Sequence, residues 1–113
     1  MAKQSSEDLV LLAALLDDIE QELRRLGYWH GEVGRPEAKA FASAIPFCLD
    51  TMQFHQWLEY VLIAKLRALL RAGSPLPERM QIAPMAQEFW RGRWNEHKQL
   101  IALLKRLDGR FKD

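Results

Sequence analysis

Leu9, Leu12, Leu16, Ile19, Leu23 and Leu26 recur at spacings that alternate between three and four residues. That period winds a narrow apolar stripe along one face of a helix, predicted from Ser6 to Leu26. Ser5 or Ser6 is placed to cap its start, and Glu7 and Asp8 suit the positive end of the helix dipole. Arg24 and Arg25 suit the negative end, and Gly27 offers the left-handed stop.

Gly27, Gly31, Gly34 and Pro36 mark the main irregular connection, with Tyr28 and Trp29 as its anchors. The alanines between Pro36 and Ala44 predict a short helix ended by Pro46. Asp50 is expected to cap the next helix, with Gln53 reaching back as in a capping box. Phe54, Trp57, Leu58, Val61, Leu62, Leu66, Leu69 and Leu70 then form a wide apolar face up to Gly73. Pro75 and Pro77 prevent continuation, because each lacks an amide donor and restricts the residue before it. Another helix is predicted from Pro84, broken at Gly92, and His97, Leu100, Ile101, Leu104, Leu107 and Phe111 stripe a final one. No segment alternates with period two over a useful length. The expectation is an all-α, compact antiparallel bundle of three long helices plus one or two short ones, a single domain over residues 1–113.

Composition narrows the class. A chain of 113 residues can bury roughly two thirds of its unfolded surface, enough for one core. The longest apolar run, Leu9 to Leu16, is far short of the roughly 20 residues a bilayer-spanning helix needs. Acidic Asp17 and Asp18 stand where a leader would carry small residues, so no signal peptide is expected. Cys48 is the sole cysteine, which excludes an intrachain disulfide and suits a reducing, cytoplasmic location. Charge is uneven: residues 1–52 hold five basic and nine acidic side chains, residues 53–113 eleven and six. An acidic helix beside basic ones accounts for this, and a basic face offered to nucleic acid or an acidic partner is the alternative.

The candidate chemistry is thin. His55 and Glu59 share a helix face, but a zinc site needs further ligands, and His30, Cys48 and His97 match no ligand spacing. The pair is read as a surface pair. Cys48 between Phe47 and Leu49 reads as an inert thiol. No nucleophile elbow or phosphate-cradling glycine loop is present, so neither catalytic residues, metal ligands nor a cofactor are expected. The Arg106-Leu107-Asp108 run resembles the catalytic aspartate segment of many pseudouridine synthases, yet Leu107 belongs to the final helix's stripe, and those enzymes share a larger mixed α/β domain. It is read as coincidence. Trp90, Arg91, Arg93 and Trp94 interleave aromatics with cations able to stack on bases and hold phosphates.

Pro46-Phe47, Asp50-Thr51-Met52, Trp57-Leu58, Val61-Leu62-Ile63, Pro75-Leu76-Pro77 and Ala83-Pro84, in this order and spacing, resemble the YqcC-like family of small bacterial proteins. Trp29 and the first helix extend the resemblance over most of the chain. It implies a helical bundle and an association with tRNA pseudouridine synthase C, and it does not imply catalysis. Ala64 followed by basic residues departs from the pattern. On this footing the leading expectation is a non-enzymatic accessory module that binds a protein partner, with that synthase as the named candidate. Its surface would comprise Phe47, Asp50, Thr51, Met52 and Trp57 together with Pro75, Leu76, Pro77 and Pro84. The alternatives are an RNA-binding helper, contacting tRNA through Trp90, Arg91, Arg93, Trp94, Lys98, Lys105, Arg106 and Arg110, and a small-molecule binder with a pocket between helices near His55 or His97. The regular stripe of the first helix would serve a homo-oligomer as well as a core.

Overall fold

The computed structural model describes residues 6–111; Ser5, one of the two candidate caps, lies outside them. Helix α1 spans Ser6–Arg25 and buries Leu12, Leu15, Leu16, Ile19 and Leu23. Its stop follows the expected chemistry. Gly27 takes φ +78°, and the Tyr28 amide returns to the Leu23 carbonyl at 2.8 Å, closing the last turn. Single 3₁₀ turns at Glu32–Gly34, Ala38–Ala42 and Pro46–Cys48 carry the connection that follows. The short helix expected from Pro36 is therefore the second of these turns, begun two residues later.

The central helix, α2, departs most from the sequence pattern. An α-helical turn, Phe54–Trp57, passes into a π-helical segment, Leu58–Ile63, and then an α-helical run, Ala64–Ala72. Gly73 ends it at φ +66°, with the Ser74 amide on the Leu69 carbonyl. The widened turn of a π segment lets three successive side chains, Leu58, Glu59 and Tyr60, all be buried. An α-helical period cannot place three neighbours on one face. For that reason Ile63 also joins the core, whereas Val61, assigned to the stripe, is only half-buried. The start of α2 differs as well. Gln53 is the N-cap, and its amide is bonded by the Gln56 side chain at 2.7 Å; Asp50, three residues earlier, instead accepts the Ser43 hydroxyl.

Helix α3, Ala83–Phe89, follows the proline-rich loop, and Gly92 at φ +85° turns the chain into α4, Trp94–Gly109. Every residue of the predicted final stripe from His97 to Phe111 is buried. Asp108 also has a job: its carboxylate accepts the amides of Ile82 and Ala83 at 2.8–2.9 Å and so caps α3 from outside. The Arg106-Leu107-Asp108 run is thus a packing and capping element in this fold.

Helix α1 packs along α4 and against the second half of α2, and α3 lies on α4. The end of α1 meets the start of α4 through Tyr28 and His97, as antiparallel neighbours do. One apolar cluster runs through all four helices, from Leu12 to Phe111. Among the described residues there is no strand, and no helix is long and apolar enough to cross a membrane.

Candidate functional site

Three groups of side chains concentrate the chemistry of this fold. The first lies under the 28–34 loop. Tyr28 stacks on His55 at 4.5 Å between ring centres, and Trp90 stacks on His97 at 4.1 Å. The two pairs are joined by a 2.8 Å bond between the Tyr28 hydroxyl and His97 Nε2. His97 Nδ1 faces the Arg93 carbonyl at 2.9 Å, and a carbonyl only accepts. Nδ1 therefore carries the proton, and Nε2 accepts from Tyr28.

Glu59 belongs to the same group. Its two carboxylate oxygens accept the amides of His30 and Gly31 at 2.9 and 2.7 Å, while the Tyr60 hydroxyl donates to the Gly31 carbonyl. The π segment presents both residues to the loop at once. Burial, and then Glu59 beside it, push the Tyr60 hydroxyl above its ordinary value, so it stays a donor. Burial, and then the neighbouring His30, hold His55 below the usual imidazole range. Its Nδ1 is enclosed without a hydrogen-bond partner. The surface-pair reading of His55 and Glu59 is corrected here: Glu59 is buried and both grip the loop. Among the described residues no three His, Cys, Asp or Glu side chains come together as a metal site would require.

The second group is an aromatic face. Phe47 packs edge-on against Trp57 at 4.7 Å and lies 5.8 Å from Phe54, which in turn contacts Phe89 at 5.5 Å. Phe47 and Cys48 both adopt positive φ, +60° and +49°, an uncommon conformation for residues with a side chain. Asp50 and Thr51 brace that corner: Asp50 binds Ser43, and the Thr51 hydroxyl donates to the Ala40 carbonyl at 2.7 Å. Phe89, in contact with Phe54, is 43% exposed, and Ile45, two residues before Phe47 and with its carbonyl accepting the Cys48 amide, is 48% exposed. Trp57 is half-buried and Met52 is buried, so Met52 leaves the surface set.

Pro84 stands at the other end of α3 from Phe89. Phe89, the last residue of α3, joins the aromatic group, whereas Ile82 and Ala83, at its first turn, sit on Asp108. Pro75 and Pro84 are exposed, and Leu76 packs partly on the core.

The third group is basic. Trp90, 2% exposed, is withdrawn from any contact with RNA because its ring is enclosed by His97 and Phe54. Arg91 and Arg93 are engaged by Glu88 and Glu96. Trp94 is 55% exposed, and with Gln87, Lys98, Ile101, Ala102 and Lys105 it lines a shallow depression of about 290 Å³. Arg106 is exposed and Arg110 half-buried.

Sequence reasoning found His97 as a core position but not its partners, and it counted the buried Trp90 among the candidate RNA contacts. The Tyr28–His97 bond joins residues 69 apart, and nothing local announces it. Glu59 and Tyr60 were missed because an α-helical period assigns them away from the core. Phe89 was within reach, as an aromatic next to Trp90.

A family model described as tRNA pseudouridine synthase C matches residues 11–110. An uncharacterized protein of Haemophilus influenzae is 36% identical over 93 residues, 82% of this chain and 85% of that one. The uncharacterized protein YqcC of Escherichia coli is 32% identical over 98 residues, 87% of this chain and 88% of that one. In Pectobacterium carotovorum, tRNA pseudouridine synthase C is 38% identical over 78 residues, which are 69% of this chain but only 20% of that protein. The solution structure of E. coli YqcC superposes with a TM-score of 0.78 at 29% identity, over 91% of this chain and 86% of that one. With the same helical fold and matches over nearly the whole of two relatives, this chain belongs to the YqcC-like family.

Proposed function

We propose that the chain is a non-catalytic accessory module that docks onto a tRNA pseudouridine synthase in the cytoplasm, through the aromatic face of Ile45, Phe47, Trp57 and Phe89. The observation that carries this reading is the Pectobacterium relative, in which a stretch similar to 78 residues of this chain makes up a fifth of one polypeptide named as that synthase. A module joined to an enzyme in one chain works at high effective concentration, and a separate copy must replace the tether with an interface.

The surface has the chemistry for that interface. Aromatic side chains anchored by their neighbours lose little freedom on binding, and exposed apolar patches mark contact sites. The positive-φ corner at Phe47, braced by Asp50 and Thr51, keeps its ring against Trp57. Three acid–base side chains, Glu59, His97 and Asp108, support a non-catalytic role. Both oxygens of Glu59, both ring nitrogens of His97 and the carboxylate of Asp108 are committed to internal bonds.

Co-expression with the synthase of the same organism, affinity capture and nuclease treatment test the reading. The wild-type chain retains the synthase after nuclease, whereas Phe89→Glu and Ile45→Glu weaken capture by about tenfold or more, as expected for residues at an interface. Absence of capture, or capture indifferent to both variants, rejects it.

A further inference from the structure

On α4, Trp94, Lys98 and Lys105 fall at intervals of four and seven residues, which places them along one side of the helix. Two features together mark this strip: cations without a carboxylate partner, which Lys65 and Arg71 of α2 also are among the described residues, and an exposed indole beside them, which those two lack. Arg24, Arg25, Arg67, Arg91 and Arg93 all hold carboxylates. Lys98, Lys105 and Arg106 have no such partner among the described residues. The acids of the same region are occupied as well, Glu88 by Arg91, Glu96 by Arg93 and Asp108 by two amides, so the lysine charge on this side is uncompensated.

The second feature is the indole. Trp94 Nε1 donates to the Gln87 carbonyl at 2.8 Å, which fixes the ring across the gap between α3 and α4 while more than half of the residue stays open to solvent. The donor is used, so what Trp94 presents outward is an oriented apolar surface. A pinned, open indole beside two lysines offers a ring face and cations together. That combination suits a nucleic acid strand, because base–aromatic stacking needs only the ring face while the adjoining cations hold the backbone. Ala102, exposed between the lysines, leaves the strand room to lie down. At 1.5 Å per residue the two lysines are about 10 Å apart along the helix, within the span of a few nucleotides.

We infer that Trp94, Lys98 and Lys105 form a contact strip for an unpaired stretch of RNA, one base stacking on the indole and neighbouring phosphates meeting the lysines. The choice of RNA rests on the proposed attendance at a tRNA-modifying enzyme. The strip and the aromatic docking face involve different residues, so an accessory of this kind would hold enzyme and substrate together.

Fluorescence anisotropy with labelled tRNA and a labelled 12-nucleotide single-stranded RNA tests this with the chain alone, independently of synthase capture. The wild-type chain binds both, with affinity falling steeply as salt rises. Lys98→Glu/Lys105→Glu weakens binding about tenfold or more, and Trp94→Ala by a similar factor. Lys65→Glu/Arg71→Glu, an equal change of charge on exposed residues of α2, has little effect. Circular dichroism checks folding, and because Trp94→Ala removes the bond to Gln87, the lysine variant stands as the independent test. No binding at low salt, or equal losses in the two charge variants, overturns the inference. Loss of synthase capture by the lysine variant with RNA binding intact overturns it in favour of a protein contact.

Discussion

Asp108 shows how one side chain can look like chemistry and act as architecture. The first amides of α3 have no partner within the helix, and this carboxylate, arriving from α4, supplies one. Asp108→Ala therefore costs about 1–2 kcal/mol, the range for losing an N-terminal cap, read as a lower urea midpoint with an unchanged slope. His55 makes a prediction of a different sign. Its folded-state affinity for protons is below the unfolded value, through burial and then His30, so the unfolded chain takes up the proton first. Its contribution is complete above pH 6.5 and is lost as pH falls through the depressed folded value. Thermal melts of the wild-type chain accordingly drop between neutral and mildly acidic pH, and His55→Gln removes that part of the slope. A wild-type melting temperature that is flat across this window would reject the assignment.

At the scale of the element, the 28–34 loop and the π segment beneath it behave as one unit. Glu59 takes two loop amides and Tyr60 one loop carbonyl, and both point there only because the helix is widened between Leu58 and Ile63. Gly34 lets the loop close: a Cβ there would stand 2.4 Å from the His30 Cβ and 3.2 Å from the Tyr60 hydroxyl. Gly34→Ala is expected to destabilise by about 1–3 kcal/mol, typical of overpacking. Hydrogen exchange should show faster loss of protection at the His30 and Gly31 amides than in α4. Glu59→Ala, which leaves the same amides unpaired without crowding, should speed exchange at those sites too, at a cost of about 1–3 kcal/mol.

Across the whole molecule, α1 and α2 are tied by Arg67, which reaches Asp17 at 2.8 Å and Glu20 at 2.7 Å, while Arg24 holds the other Glu20 oxygen. Burial alone would raise the Glu20 carboxyl, but the hydrogen bonds from Arg67 and Arg24 outweigh it and keep it below the usual value. A depressed carboxyl stabilises the fold above its unfolded value and loses that effect as pH falls through the folded one. Arg67→Met should cost about 1 kcal/mol or less at neutral pH, because the network is partly open to water. It should also flatten the acid limb of the stability profile near and below pH 4.5. The −4 and +5 balance of the two halves is partly resolved by this internal pairing and partly left over as the lysine strip of α4.

The helices themselves were written in local patterns: a stripe of three and four for α1 and α4, and left-handed glycines at residues 27, 73 and 92 where the chain turns. Such signals act within one or two turns, so a sequence exposes them directly. The core residues of α4 could be named one by one for the same reason. What the sequence did not expose was every arrangement that depends on distant partners. The widened turn of α2, the sharing of Asp108 with α3, the Tyr28–His97 bond and the choice of which cations meet a carboxylate all depend on which surfaces meet. Local periodicity carries no information about a neighbour that arrives from fifty residues away. Packing decides it, and with it which polar groups are committed inside the fold and which remain free to meet a partner.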